Sequence, residues 1–212
     1  FEFKIFGEDK TPLKIEGQGV DHKVYDGTAE ADINPEKLTL AGVRAGDDVS
    51  LDFSEAIAGF SDKNFGIGKT VTLSDLLLKG DNADEYVIDS TYVTKADILP
   101  KTVRANGISA ESKSYDGTVL AALIKNDAGL NGQDIIENDE VGLDADKAVG
   151  IFEDEKTGTG KKVTVKGLGL TGKDAGNYVL AEYTATADIQ APQDGVILVT
   201  GITASDKVYD GT

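Results

Sequence analysis

The 212-residue chain has no cysteine, no methionine and no tryptophan, and only one histidine. Without cysteine it has no disulfide, no thiolate metal site and no cysteine nucleophile. With His22 as the lone imidazole, the usual nucleophile–base pairs lack a repeated base; Ser112 and Asp206 stand at the corresponding places further along. Positive charge is also scarce, with 21 Lys and Arg against 38 Asp and Glu and a formal net charge of −17. That balance argues against nucleic acid and anionic membranes, which a Lys/Arg excess must neutralise. It favours a soluble, self-repelling surface. No apolar run approaches the ~18 residues of a transmembrane helix, and no signal-peptide pattern is visible. The missing methionine leaves no start residue, so the sequence is expected to be a window of a longer protein.

What the chain does have is a repeat. Tyr-Asp-Gly-Thr occurs at Tyr25-Asp26-Gly27-Thr28, at Tyr115-Asp116-Gly117-Thr118 and at Tyr209-Asp210-Gly211-Thr212. Around it a Gly recurs eight positions upstream (Gly17, Gly107, Gly201) and a Lys two positions upstream (Lys23, Lys113, Lys207). Downstream, Asp48–Asp52 matches Glu140–Asp144, Phe60 matches Phe152, and Gly66-Ile67-Gly68-Lys69 matches Gly158-Thr159-Gly160-Lys161. Tyr86-Val87-Ile88 matches Tyr178-Val179-Leu180, and each copy closes on Ala-Asp-Ile (Ala96–Ile98, Ala187–Ile189) with a proline soon after. Ordered matches at a near-constant spacing of about 90 residues mean tandem domains. The expected division is a lead-in strand or tail of a preceding module over 1–10, a first module over 11–99, a second over 100–191, and the start of a third over 192–212. Short joints at Pro100 and Pro192 favour a semi-rigid, elongated array over a flexible string.

The patterning is all-β. Val49, Leu51 and Phe53 alternate with Ser50 and Asp52, and Val71 and Leu73 alternate with threonines, as a strand with one buried face requires. Phe1, Phe3 and Ile5 alternate similarly, and Val196–Val199 is a short β-branched run. Helical signal is confined to Leu76–Leu78 and Glu55–Ala58, each long enough for one turn. About seven short strands per module predict a small β-sandwich of immunoglobulin-like, Greek-key type; a β-grasp-like module is the alternative. Asp174-Ala175-Gly176-Asn177-Tyr178, entering a strand, resembles a tyrosine corner. The first module keeps Tyr86 but has Asn82 and Asp84 where the second has Asp174 and Gly176.

Together, Lys113–Thr118, Gly158–Thr164, Asp174–Tyr178 and Ala187–Ile189 resemble the YDG repeat domain of large bacterial surface proteins, with the related MBG repeats in the same circle. Such repeats occur in filamentous-haemagglutinin-like and fibrillar adhesins. The resemblance implies an exported chain at the cell surface or in the biofilm matrix, acting as a stalk or adhesive fibre, and it implies no catalytic residue. The expected partners are neighbouring modules, like chains in a fibre, or a polysaccharide.

Candidate sites are few. Asp-Gly within Tyr-Asp-Gly-Thr is a turn signal, and its Tyr is expected at a module joint or in the core. The Gly-x-Gly-Lys segments lack the spacing of a phosphate loop and precede strands, so they read as glycine turns. The metal candidates are Asp139, Asp144 and Asp146, as calcium ligands beside Glu137 and Glu140. They lack a calcium-loop spacing, and solvated loops are the better reading. No cofactor is expected and an enzyme is not. A glycan-binding module is the second functional reading and a secreted hydrolase the last.

Overall fold

The structure, a computed structural model, describes residues 10–192 and Gly211. Phe1–Phe6, Val196–Val199 and the third Tyr-Asp-Gly-Thr other than Gly211 lie outside the described residues. The described chain is built of strands, with four single 3₁₀ turns (Pro35–Lys37, Ala83–Glu85, Gly132–Asp134, Ala175–Asn177) and no α-helix. No helix among the described residues is long and apolar enough to cross a membrane.

The chain folds as two compact units whose limits do not follow the sequence period. Among the described residues the first takes in 10–106 together with Gly129–Asp144 and Gly169–Ala181; the second takes in Gly107–Ala128, Ala145–Leu168 and 182–192. Part of the second repeat is therefore folded onto the first.

In the first unit the largest sheet has four strands in the order Lys23–Val24, Tyr92–Leu99, Gly66–Ser74 and Ile57–Phe60. Lys23–Val24 runs parallel to Tyr92–Leu99 and the remaining pairs are antiparallel. Three two-stranded ladders of the first repeat join Thr11–Pro12 to Tyr86–Val87, Lys14–Gly17 to Leu38–Ala41, and Ser50–Asp52 to Leu77–Lys79. The second repeat adds Lys101–Val103 with Tyr178–Leu180, Ala105–Asn106 with Gly129–Leu130, and Gly142–Asp144 with Gly169–Thr171. The alternation read from the sequence is realised in Gly66–Ser74, where Val71 and Leu73 are wholly buried while Thr70 and Thr72 are exposed. Each such aliphatic side chain contributes about 1.5–3 kcal/mol on burial. One apolar cluster holds Val20, Phe60, Val71, Leu73 and Ile98 together with Val103 and Tyr178 of the second repeat.

The second unit centres on a five-stranded sheet, ordered Lys113–Ser114, Tyr183–Gln190, Gly158–Lys166, Val149–Phe152 and Leu120–Ala121. Its core is Phe152, Val163, Ala187 and Ile189.

Neither expected helical turn forms, and both segments run into strands instead. Leu77–Lys79 pairs with Ser50–Asp52, and Ile57–Phe60 pairs with Gly66–Ser74. A run of three leucines has no period of its own. Here Leu76 is buried and Leu77 exposed, and an available ladder partner decides for strand.

Candidate functional site: the Tyr-Asp-Gly-Thr turn and the clasp between repeats

The repeated motif builds one turn twice. Asp26 Oδ1 accepts the Thr28 N–H and the Thr28 hydroxyl, each at 2.9 Å, and Gly27 supplies the positive φ of 83° that closes the turn. The Lys23 ammonium fills the loop. It donates to Asp26 Oδ1 (2.9 Å), to Thr28 O (3.0 Å) and to Glu30 O (2.7 Å), and lies 5.6 Å from the Phe60 ring centroid. In the second copy Lys113 donates to Asp116 Oδ1 (2.7 Å) and Thr118 O (2.8 Å), again 5.6 Å from a ring, that of Phe152. Lys-x-Tyr-Asp-Gly-Thr is thus a closed set of donors and acceptors. The hydrogen bond from Lys113, helped by the Thr118 N–H, holds the Asp116 carboxyl down at about 2.

The two tyrosines of the motif fare differently. Tyr25 is 1% exposed and packs edge-to-face on Tyr178 of the second repeat, with ring centroids 5.5 Å apart at 73°. Its hydroxyl donates to Asp139 Oδ2 at 2.9 Å, and the Tyr178 hydroxyl donates to the same oxygen at 2.7 Å. The Ile136 N–H donates to the Tyr178 hydroxyl at 2.9 Å. The Asp139 side chain is 3% exposed and has Lys63 of the first repeat at 3.7 Å. Beside it, buried Asn177 accepts the Phe65 N–H at 2.8 Å and donates to Asn64 Oδ1 at 3.2 Å. Gly27 is closed in as well, since a Cβ there would stand 2.8 Å from Ile136 Cγ2. Two segments of the first repeat, the Tyr25–Gly27 turn and the Lys63–Phe65 loop, thereby clasp the second.

Burial and the Asp139 carboxylate push the Tyr25 phenol up to about 12 from its ordinary 10.0; burial with the same carboxylate raises Tyr178. Because the folded value lies above the unfolded one, the neutral phenol stabilises the clasp fully below about pH 10, and that contribution is lost as pH rises through about 12. Absorbance titration at 295 nm should show one late phenol fewer in Tyr25→Phe than in the parent chain. Uniform titration of every tyrosine near pH 10 with the Ile136 amide still protected would sink this account.

The corner tyrosines match across the repeats. In the first repeat the Arg44 N–H donates to the Tyr86 hydroxyl at 3.2 Å, and that hydroxyl bonds Asp47. Arg44, Asp47 and Tyr86 stand where Ile136, Asp139 and Tyr178 do in the second. The exchange of Asp174 for Asn82 preserves the corner because both side chains do the same work. Asp174 Oδ2 accepts the Glu140 N–H (2.8 Å) and Asn82 Oδ1 accepts the Asp48 N–H (2.9 Å). Gly176 has no atom within 4 Å of a built Cβ, so Asp84 is accommodated at its counterpart.

The remaining motifs are also structural. Gly68 and Gly160 sit at the register shifts of the long strands, and their N–H groups donate at 2.7 Å to Asp97 and Asp188 of the two Ala-Asp-Ile signatures. His22 Nδ1 accepts the Asp97 N–H at 2.8 Å, and Ser112 Oγ does the same for Asp188 at 2.9 Å. The lone histidine is one of two acceptors for an equivalent amide. Asp139 is taken up by the tyrosines. Asp144, in strand Gly142–Asp144, and Asp146 complete the trio proposed for calcium; among the described residues no group of three acidic or His side chains is placed to hold a metal ion.

The clasp's central carboxylate was named from the sequence only as a metal candidate, and Ile136 and Asn177 were not singled out. The signal was present: the spacing that relates Asp48 to Glu140 also relates Asp47 to Asp139.

A chain of β-repeats joined through a motif tyrosine defines a tandem-repeat protein. It matches the YDG domain twice, over residues 8–94 and 99–187, and belongs to the YDG-domain family. Among curated proteins none matches the chain.

Proposed function

We propose that the chain is a stalk- or fibre-forming portion of a large secreted bacterial cell-surface adhesin, holding or assembling an adhesive region away from the cell. The observation that carries this reading is the clasp. The most repeated residues of the sequence are spent on a turn and on fastening one repeat to the next, which is what a load-transmitting spacer needs. In the same reading each repeat is a small immunoglobulin-like sandwich with the Tyr86 or Tyr178 corner pinning a crossover, and successive repeats form an elongated array. The acidic excess of 38 over 21 supports it, because self-repulsion opposes lateral collapse.

Small-angle X-ray scattering tests the array. A compact 212-residue globule has a radius of gyration of about 17 Å. The expected value is well above that, with a rod-like distance distribution. A compact value removes the stalk. Protease shaving of intact source cells tests the location, and release of peptides from this region is the expected result.

A further inference from the structure

In the second repeat Ala145 O accepts two hydrogen bonds, from the Ala148 N–H at 3.1 Å and from the Lys125 ammonium at 2.8 Å. Lys125 is half-buried. The first repeat keeps the acceptor and lacks the lysine. Phe53 follows strand Ser50–Asp52 as Ala145 follows Gly142–Asp144, and Phe53 O accepts the Ala56 N–H at 3.2 Å in the same turn. Pro35 stands as far after Tyr25 as Lys125 does after Tyr115. Among the described residues Phe53 O takes no second donor.

The place that the lysine fills in the second repeat is a trough in the first. Pro35 and Phe53 form the wall shared by two adjoining hollows of about 440 and 660 Å³, a size that accepts a side chain and a short stretch of chain. One hollow continues past Leu38, Leu40 and Leu51, and the other ends at Glu30 and Asp32. These two carboxylates stand where the second repeat has Leu120 and Ala122. Among the described residues neither of the two side chains has a hydrogen-bond or ion-pair partner. The first repeat thus carries two negative charges, and no cation, where the second carries a cation and no negative charge.

Neighbouring repeats leave this trough open. The clasp shows what a repeat receives from the one before it, at Ile136, Asp139, Asn177 and Tyr178. Their counterparts in the first repeat are Arg44, Asp47, Glu85 and Tyr86. The repeat that follows is held through Tyr25, Gly27 and Asn64. Glu30, Asp32, Pro35 and Phe53 belong to neither set.

We propose that the trough binds a lysine side chain presented on an extended apolar segment of a partner protein. The ammonium donates to Phe53 O as that of Lys125 does to Ala145 O, Glu30 and Asp32 balance its charge, and the apolar neighbours of the lysine lie along Leu38, Leu40 and Leu51. The trough belongs to one repeat, so the site does not depend on the chain being a stalk.

The test is an NMR titration of the whole chain with the peptide acetyl-Val-Lys-Leu-Val-amide, at about 0.15 M salt so that general attraction to the acidic surface is screened. The amide signals of Ala31, Phe53 and Ala56 should shift, and the peptides with norleucine or glutamate in place of lysine should leave them where they are. Glu30→Gln with Asp32→Asn, both exposed and fold-neutral, should weaken binding about tenfold, whereas Glu182→Gln should not. Pro35→Lys with Phe53→Ala recreates the second repeat's arrangement and should abolish binding, because the chain then supplies its own lysine. Unmoved trough signals, equal binding of the norleucine peptide, or affinity that Glu30→Gln with Asp32→Asn leaves unchanged overturns the proposal. Shifts at these amides with a neutral oligosaccharide but not with the lysine peptide would overturn it in favour of a glycan site.

Discussion

Tyr25→Ala should destabilise the first unit by about 3–5 kcal/mol, while Tyr115→Ala should cost less than about 0.5 kcal/mol, although the two residues hold the same place in the same motif. The first substitution removes a ring that is 1% exposed and packed against Tyr178, and takes one of two hydroxyl donors from a nearly buried Asp139 carboxylate. A buried acceptor that loses a partner keeps its desolvation penalty, so the loss exceeds the cavity alone. The second removes a ring that is 45% exposed. Hydrogen exchange of the Ile136 amide, which bonds the Tyr178 hydroxyl, reports the clasp directly. It should lose protection in Tyr25→Ala and keep it in Tyr115→Ala. Equal losses in the two variants would mean that the tyrosine serves the turn and not the joint.

Gly17→Ala and Gly107→Ala should each cost about 3 kcal/mol or more, well beyond the ~1–2 kcal/mol of a left-handed residue alone. Gly17 has φ 118° and a Cβ there would stand 2.0 Å from Lys37 O; Gly107 has φ 72° and would place it 1.9 Å from Asp127 O. The obstruction in both cases is backbone, which cannot rotate aside. Two controls separate strain from collision. Gly46 has φ 97° and open space, so Gly46→Ala should show only the conformational cost. Gly176 has open space and no positive φ, so Gly176→Ala should be neutral or stabilise by about 0.5 kcal/mol through the unfolded chain. Chemical denaturation of the four variants orders them. A Gly17→Ala protein as stable as Gly46→Ala would show that the close approach relaxes without cost.

Much of the architecture is written in local pattern. The strands around Val71–Leu73 and Val163–Val165 follow from period-2 alternation, and the turn at Asp26–Gly27 from side-chain and backbone chemistry that acts within three residues. Gly17 and Gly107 were visible as a recurring glycine, but the carbonyls that forbid a side chain belong to Lys37 and Asp127, twenty residues on, and no local pattern points to them. The clasp was hidden for a related reason. Its partners, Tyr25 and Asp139, lie in different repeats, and Asp139 sits in an acidic stretch where one more carboxylate carries no signal. The compact units escaped the sequence altogether, because a period marks where copies begin and cannot say which copy a segment packs against. Leu76–Leu78 shows the opposite limit: three apolar residues fit a helix or a strand equally until a ladder partner at Ser50–Asp52 decides.

The clasp has an evolutionary consequence. Each of the two described copies carries both a motif tyrosine and an aspartate–tyrosine corner, so in-register crossing-over between gene segments keeps both halves of a clasp at a new junction. Array length can then drift by whole copies in one genetic event, leaving only the residues that flank the clasp to be adjusted. In the stalk proposed above, length would become a trait that selection adjusts by copy number.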